Sequence, residues 1–264
     1  MIILFLAVLI LAVFTGFLLL KKNYEKTDYY AQTKNSYISM ILDKGRRGEF
    51  YTYKNLKALK GYKRFLFNLY LPKENGETTE VDVVLLHESG IYVLESKNYS
   101  GWIFGTESEQ YWTQTLKAEN GRTQKNRFFN PIIQNKVHLK WLQRFLADKT
   151  LPFYSYIVFS ERCILKDIRL TGKEHYVIKR YDILDAVRQN AAKAGRKLSK
   201  ERIDAIYKKL YPLTQADTAK KMAHIENVRS KQQKAGLERK NEKFVKRATG
   251  SEIQGMRLAH PKEK

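Results

Sequence analysis

A single cysteine, Cys163, stands in a chain of 264 residues, so no disulfide closes within it and a cystine-stapled extracellular scaffold is excluded. Five prolines and 14 glycines are too few for a collagen, a proline-rich rod or a linker protein. Acidic residues are scarce too: 27 Asp and Glu face 49 Lys and Arg, a formal net charge of +22, which excludes an acidic, cation-buffering protein. The five histidines and the lone cysteine show no zinc spacing. Gly45-x-x-Gly48 lacks the Lys-Ser/Thr that completes a phosphate-binding P-loop. What is present is core-forming material. Hydrophobic residues make up 43% and aromatics 12%, more than a disordered chain carries, so most of the length folds.

Residues 1–20 hold no charge, and Lys21 and Lys22 follow at once. Twenty helical residues at about 1.5 Å each cover roughly the 30 Å hydrocarbon core of a bilayer. A cleaved signal peptide is the competing reading, but it needs basic residues before the apolar run and small residues at its end. The expectation is an uncleaved, single-pass transmembrane anchor over 1–22. Lys21, Lys22 and the basic body behind them place the C-terminal body in the cytoplasm, and a lone thiol suits that reducing compartment. Residues 23–44, polar and tyrosine-rich, read as a juxtamembrane helix or stalk. A folded body follows over 45–146, completed by 147–217. The tail, 218–264, carries thirteen Lys/Arg and five Asp/Glu and is either a solvated helix or disordered. Its net +8 leaves +12 on residues 23–217, so the folded part is itself basic and suited to a polyanionic partner.

Runs of β-branched and aromatic residues at 65–71 (FLFNLYL), 81–86 (VDVVLL) and 91–97 (IYVLESK) predict strands. Asn75-Gly76 marks a turn, and Glu88-Ser89-Gly90 folds the second and third strands into an antiparallel hairpin. Further strands are expected at 101–105, 154–160 and 176–178. Helical composition covers 47–59, and Asn130-Pro131 opens a helix with Ile133, Val137, Trp141 and Phe145 on one face. Asp182 and Ser199 are candidate caps for two later helices, the first ending near Gly195. The expected fold class is α/β, a mixed sheet flanked by helices.

The informative residues are charges on strands. Residues two apart share a strand face, so Glu95 and Lys97 lie together, and hairpin pairing can bring Asp82 opposite Glu95. Two carboxylates and an ammonium at a sheet end suit Mg²⁺, which takes hard oxygen ligands and keeps several waters. Phosphodiester hydrolysis is the matching chemistry. The plainer reading is a half-exposed sheet with Glu95 and Lys97 as solvated partners, and the short motif alone favours it.

The order of the neighbouring motifs shifts that balance. Gly45-Arg-Arg-Gly48-Glu49, then Asn68, then Thr79-Glu80-Val81-Asp82, then Gly90-Ile-Tyr-Val-Leu-Glu95-Ser-Lys97-Asn98-Tyr99-Ser-Gly101, Trp112 and Asn130-Pro131-Ile-Ile-Gln134 together resemble the nuclease-related domain (NERD) family. That family is itself similar to the PD-(D/E)xK restriction-endonuclease-like superfamily. The resemblance covers roughly 44–146, and Ser96, whose side chain points to the opposite face, is a departure of little weight. It implies a restriction-endonuclease-like core with Asp82 and Glu95 as metal ligands and Lys97 as the catalytic lysine. Glu49 would be a further carboxylate, binding metal directly or through water, and Gln134 would orient water or phosphate. Against these stand a helix-start carboxylate for Glu49 and a surface amide for Gln134. His138 reads as packing beside Trp141. Tyr99 and Trp102 could stack on a base or pack in the core.

Two functions are therefore expected in competition. One is a membrane-anchored nuclease dependent on Mg²⁺, with Mn²⁺ as a substitute, acting on nucleic acid, DNA first. The other is a non-catalytic module on the same fold that binds nucleic acid or an anionic membrane surface, with the tail contacting anionic lipid.

Overall fold

Strand runs that are apolar on both faces need cover on both sides, and the helices supply it. The computed structural model describes residues 1–117, 121–231 and 233, and the chain divides into two units, Met1–Ala216 and Asp217–Lys264. The first unit is α/β, with two mixed sheets flanked by helices. In the second, residues 218–231 are helical; the rest of the tail expectation lies outside the described residues.

The main sheet contains, in chain order, β1 (Lys63–Pro72), β2 (Thr78–His87), β3 (Gly90–Lys97), β7 (Phe153–Phe159) and β9 (His175–Lys179), arranged in that same order across the sheet. β1, β2 and β3 are antiparallel neighbours, and β7 and β9 run parallel to β3. At the Asn75-Gly76 turn, Gly76 takes φ +77°, a conformation that favours glycine. The β2–β3 hairpin closes on His87 opposite Gly90. The second sheet is ordered β6 (Thr123–Phe129), β5 (Tyr111–Lys117), β4 (Gly101–Thr106), β8 (Cys163–Arg169). The parallel pair β3–β7 passes into the parallel pair β4–β8, so the two sheets are joined twice at one end of β3.

Among the described residues of the first unit the α-helices are α1 (Ile2–Glu25), α2 (Asp28–Thr33), α3 (Tyr37–Leu42), α4 (Lys44–Leu56), α5 (Pro131–Leu146), α6 (Ile183–Ala194) and α7 (Lys200–Leu210). Caps fix their starts: Asp43 accepts from the Arg46 amide, Asn130 from the Ile132 amide and Ser199 from the Arg202 amide. Because Asp43 is the cap, α4 begins three residues before the expected helix and ends at Leu56 rather than at residue 59. Asp182 makes no side-chain cap bond, since it closes a short 3-10 turn, Arg180–Asp182, that runs straight into α6. Helices α4 and α6 cover one face of the main sheet, over Phe67, Leu85, Leu94 and Val158. Helices α5 and α7 cover the other, over Leu66, Val84, Val93 and Ile91.

Residues 23–44 are folded onto the first of these faces. Tyr24, Tyr29 and Met40 are buried in its core, and the tyrosines keep their hydroxyls bonded, Tyr24 to the Asn35 carbonyl at 2.8 Å and Tyr29 to Glu49 at 2.9 Å. Helix α1 is long and apolar enough to cross a membrane, and no part of its apolar stretch is buried in the protein.

Candidate active site at a strand fork

β2 and β3 stay paired from His87 opposite Gly90 as far as Val83 opposite Leu94. Beyond that point β2 continues along β1, whereas β3 continues along β7. The sheet forks there, and Asp82 and Glu95 are the first residues on its two prongs. On β1 the partner position is Asn68, which takes φ +49° and is skipped in the pairing between Phe67–Val83 and Leu69–Val81. This kink turns successive side chains: Val83 faces the α4 side and Val81 the α5 side, with Asp82 between them.

Within the fork, the Ser96 amide donates to Asp82 Oδ2 at 2.8 Å. Glu95, 1% exposed, has both oxygens engaged: Oε1 by the Lys97 ammonium at 2.5 Å and Oε2 by His138 Nε2 at 3.0 Å. Lys97 also donates to Gln134 Oε1 at 3.0 Å. His138 Nδ1 lies 2.8 Å from the Thr79 hydroxyl; with Glu95 ionised, Nε2–H donates to it. Glu49 reaches the fork from α4, its Oε2 accepting from Tyr29 at 2.9 Å and from Asn68 at 3.1 Å.

The titration of these groups follows from burial and crowding. Burial, with the charges of Glu95 and Glu49 added, pushes the Asp82 carboxyl well above its ordinary range. Burial likewise raises Glu49 to about 7, in spite of the hydrogen bonds from Tyr29 and Asn68. For Glu95, burial also acts upward but is outweighed by Lys97 and His138, so it stays an anion. For Lys97, burial acts downward but Glu95 and Asp82 outweigh it, so the ammonium is held above its usual range. Burial thus raises two of the three carboxyls, while Glu95 is held down by the ammonium and imidazole bonded to it.

The structure therefore brings Asp82, Glu95, Lys97 and Gln134 together, with Glu49 adjacent on the α4 side. It also adds His138. The expectation that His138 packs beside Trp141 is corrected: the ring is buried against Glu95 and Thr79. The signal was available, because His138 lies one helical turn after Gln134 and so shares its face. Tyr99 packs on Phe128 at 4.7 Å between ring centres, while Trp102 is partly exposed beneath Lys166.

Among the described residues, no three His, Cys, Asp or Glu side chains form a ready-made metal cage. Mg²⁺ asks for less: one or two carboxylates, the rest of its shell being water and substrate oxygens. Asp82, half-buried with Oδ1 accepting no hydrogen bond among the described residues, and Glu95 beside it fit that donor set.

The main sheet thus forks at paired acidic residues, with a lysine two positions beyond one of them. Residues 44–160 match the family model of the nuclease-related domain. An uncharacterized protein of Bacillus anthracis is 35% identical over 142 residues, which span 53% of this chain and 64% of that relative. No solved structure matches the chain at a significant level.

Proposed function

We propose that the protein is a membrane-anchored, Mg²⁺-dependent nuclease that hydrolyses phosphodiester bonds in nucleic acid, with DNA as the first substrate to test. The observation that carries this reading is the geometry of the fork: Asp82 and Glu95 stand on its two prongs, and Lys97 bonds both Glu95 and Gln134 beside them. A divalent cation would offset the crowding of carboxyls there. Asp82 Oδ1 and Glu95 would hold it, with Glu49 acting directly or through water. When bound, Mg²⁺ supplies a charge that polarises a phosphate oxygen and acidifies a coordinated water.

The chain's own groups supply the remainder. Lys97 would align the attacking water and steady charge on the phosphate. Gln134 fixes the position of that ammonium through the 3.0 Å contact. His138 and Thr79 fix the second oxygen of Glu95. A net charge of +22 draws the polyanion to the surface by counterion release, and α1 holds the body at the cytoplasmic face.

The test is cleavage of labelled single- and double-stranded DNA and RNA by the full chain, with Mg²⁺, Mn²⁺ or EDTA. The expected result is cleavage that EDTA abolishes and that falls at least about 1,000-fold in Asp82→Ala and Lys97→Ala, with oligonucleotide binding largely retained. Lys97→Ala cleaving as well as the parent would overturn the mechanism. Binding without cleavage under every metal would favour a non-catalytic module.

A further inference from the structure

Lys97 is followed by Asn98, and around that amide the protein gathers a second set of charges that the fork does not use. Asn98 Nδ2 donates to the Lys44 carbonyl at the start of α4, at 2.7 Å. Asn98 Oδ1 accepts from Arg162 Nη2 at 3.1 Å and from Arg180 Nη2 at 3.2 Å, and its backbone carbonyl accepts from Arg162 at 2.9 Å. Arg180 is only 3% exposed, and its Nε–H makes no hydrogen bond. The carboxylate facing that nitrogen, Glu161, lies 3.7 Å away and is about half exposed. Burial, then the like charges of Arg162 and Arg47, disfavour the Arg180 cation.

A guanidinium taken out of water beside a second one, faced by one half-solvated carboxylate, is an unfavourable arrangement as it stands. A purely structural tie between the Arg180–Asp182 turn and the end of β3 needs one arginine bonded to Asn98. It explains neither the unbonded Nε–H of Arg180 nor the convergence of Arg162, from the loop before β8, on the same amide oxygen. An anion with several acceptor oxygens explains both, since guanidinium forks match phosphate geometry. The first turn of α4 adds a favourable dipole.

We propose that Arg162 and Arg180, organised by Asn98, form a phosphate-binding site that holds a backbone phosphodiester of the nucleic-acid strand next to the one presented to the fork. The choice of occupant rests on the nuclease reading; the anion site itself does not. Asn98 directly follows Lys97, the last residue of β3, so the arginines gather at the same end of β3 as the fork, and grip on a neighbouring phosphate would set the register of the scissile bond.

The experiment uses the full chain in detergent and measures, in EDTA, the anisotropy of a labelled oligonucleotide over a range of KCl. Arg162, on the surface, is the informative position; Arg162→Gln is compared with Lys208→Gln, a surface change on α7. The expected result for Arg162→Gln is affinity weakened about fivefold and a slope of log K against log salt reduced by about one. Lys208→Gln stays at the parent values. Arg180→Gln should weaken binding further, and if it fails to fold, Arg162→Gln decides alone. Parent-like affinity and slope in Arg162→Gln would overturn the site, as would a loss confined to binding of phosphatidylserine vesicles. With Mg²⁺, KM for cleavage should rise while kcat changes by less than about twofold. If the parent shows no cleavage under any metal but the EDTA binding effect persists, the nuclease reading fails and the phosphate site stands.

Discussion

Glu49 shows how a single carboxyl reports on the site without any turnover. Its folded pKa of about 7 lies above the ordinary value of 4.5, with burial as the main cause. Between those two values the folded protein holds a proton that the unfolded chain has lost, so stability falls as pH rises through that window and levels off above about 7. In EDTA, the parent should therefore lose on the order of 1–3 kcal/mol of stability between pH 5 and pH 8 through this group. Glu49→Gln should flatten that loss when unfolding midpoints are compared across the range. Addition of Mg²⁺ should restore the parent at pH 8 more than it restores the variant, because a bound cation replaces the proton. An unchanged pH profile in Glu49→Gln would show that this carboxyl is not the buried acid the geometry makes it. The core of this site was legible because strand periodicity is strict: residues 95 and 97 share a face, and the hairpin dictates that 82 meets 95. The partners of these residues were less legible. His138, Thr79 and Tyr29 come from three other elements, and only helix docking, which no local pattern encodes, brings them in.

The helices do their positioning through close approach to the sheet, and α4 is the clearest case. A Cβ on Gly48 would lie 2.9 Å from Ser96 Oγ and 3.2 Å from Asn98 Cβ, so α4 packs directly on the end of β3 that carries Glu95 and Lys97. In a free helix, Gly→Ala gains about 0.5–1 kcal/mol. Here the added methyl meets a Cβ that cannot swing aside, so the sign reverses, and Gly48→Ala should cost about 1–3 kcal/mol in a denaturant titration. Ser96→Ala in the same chain should recover part of that loss, and a double-mutant cycle measures the coupling. Additive effects would mean that α4 and β3 do not touch as described. The same elements explain what the sequence reveals of the fold. β1, β2, β3 and β7 are apolar on both faces and announce themselves. β5, β6 and β8 were not anticipated, because β6 is mostly exposed and β8 half so, and their few inward residues, such as Trp112 and Cys163, make too small a core to leave a periodic mark.

At the scale of the whole first unit, the apolar helix and the α/β body behind it are joined without slack. The last turn of α1 delivers Tyr24, 2% exposed, into the same core as α4. Its ring lies 5.1 Å from Phe50 and 5.5 Å from Tyr37, and its hydroxyl bonds the Asn35 carbonyl. Phe17, a further two turns back on α1, touches Tyr37 as well. A flexible stalk would leave domain stability indifferent to the helix; this packing does not. Two fragments separate the cases, one beginning at Lys21 and one at Thr27, both running to residue 264 and differing in whether Tyr24 is present. Loss of a buried aromatic costs about 3–5 kcal/mol, so the shorter fragment should unfold roughly 6–15 °C lower. Tyr24→Ala in the longer fragment should reproduce most of that shift, since the other residues removed are solvent-facing. Equal midpoints would mean that the domain is complete without Tyr24 and hangs from α1 on a free tether. The expected shift would mean instead that α1 and the fork belong to one packed body, so that any surface holding α1 also fixes the orientation of the fork.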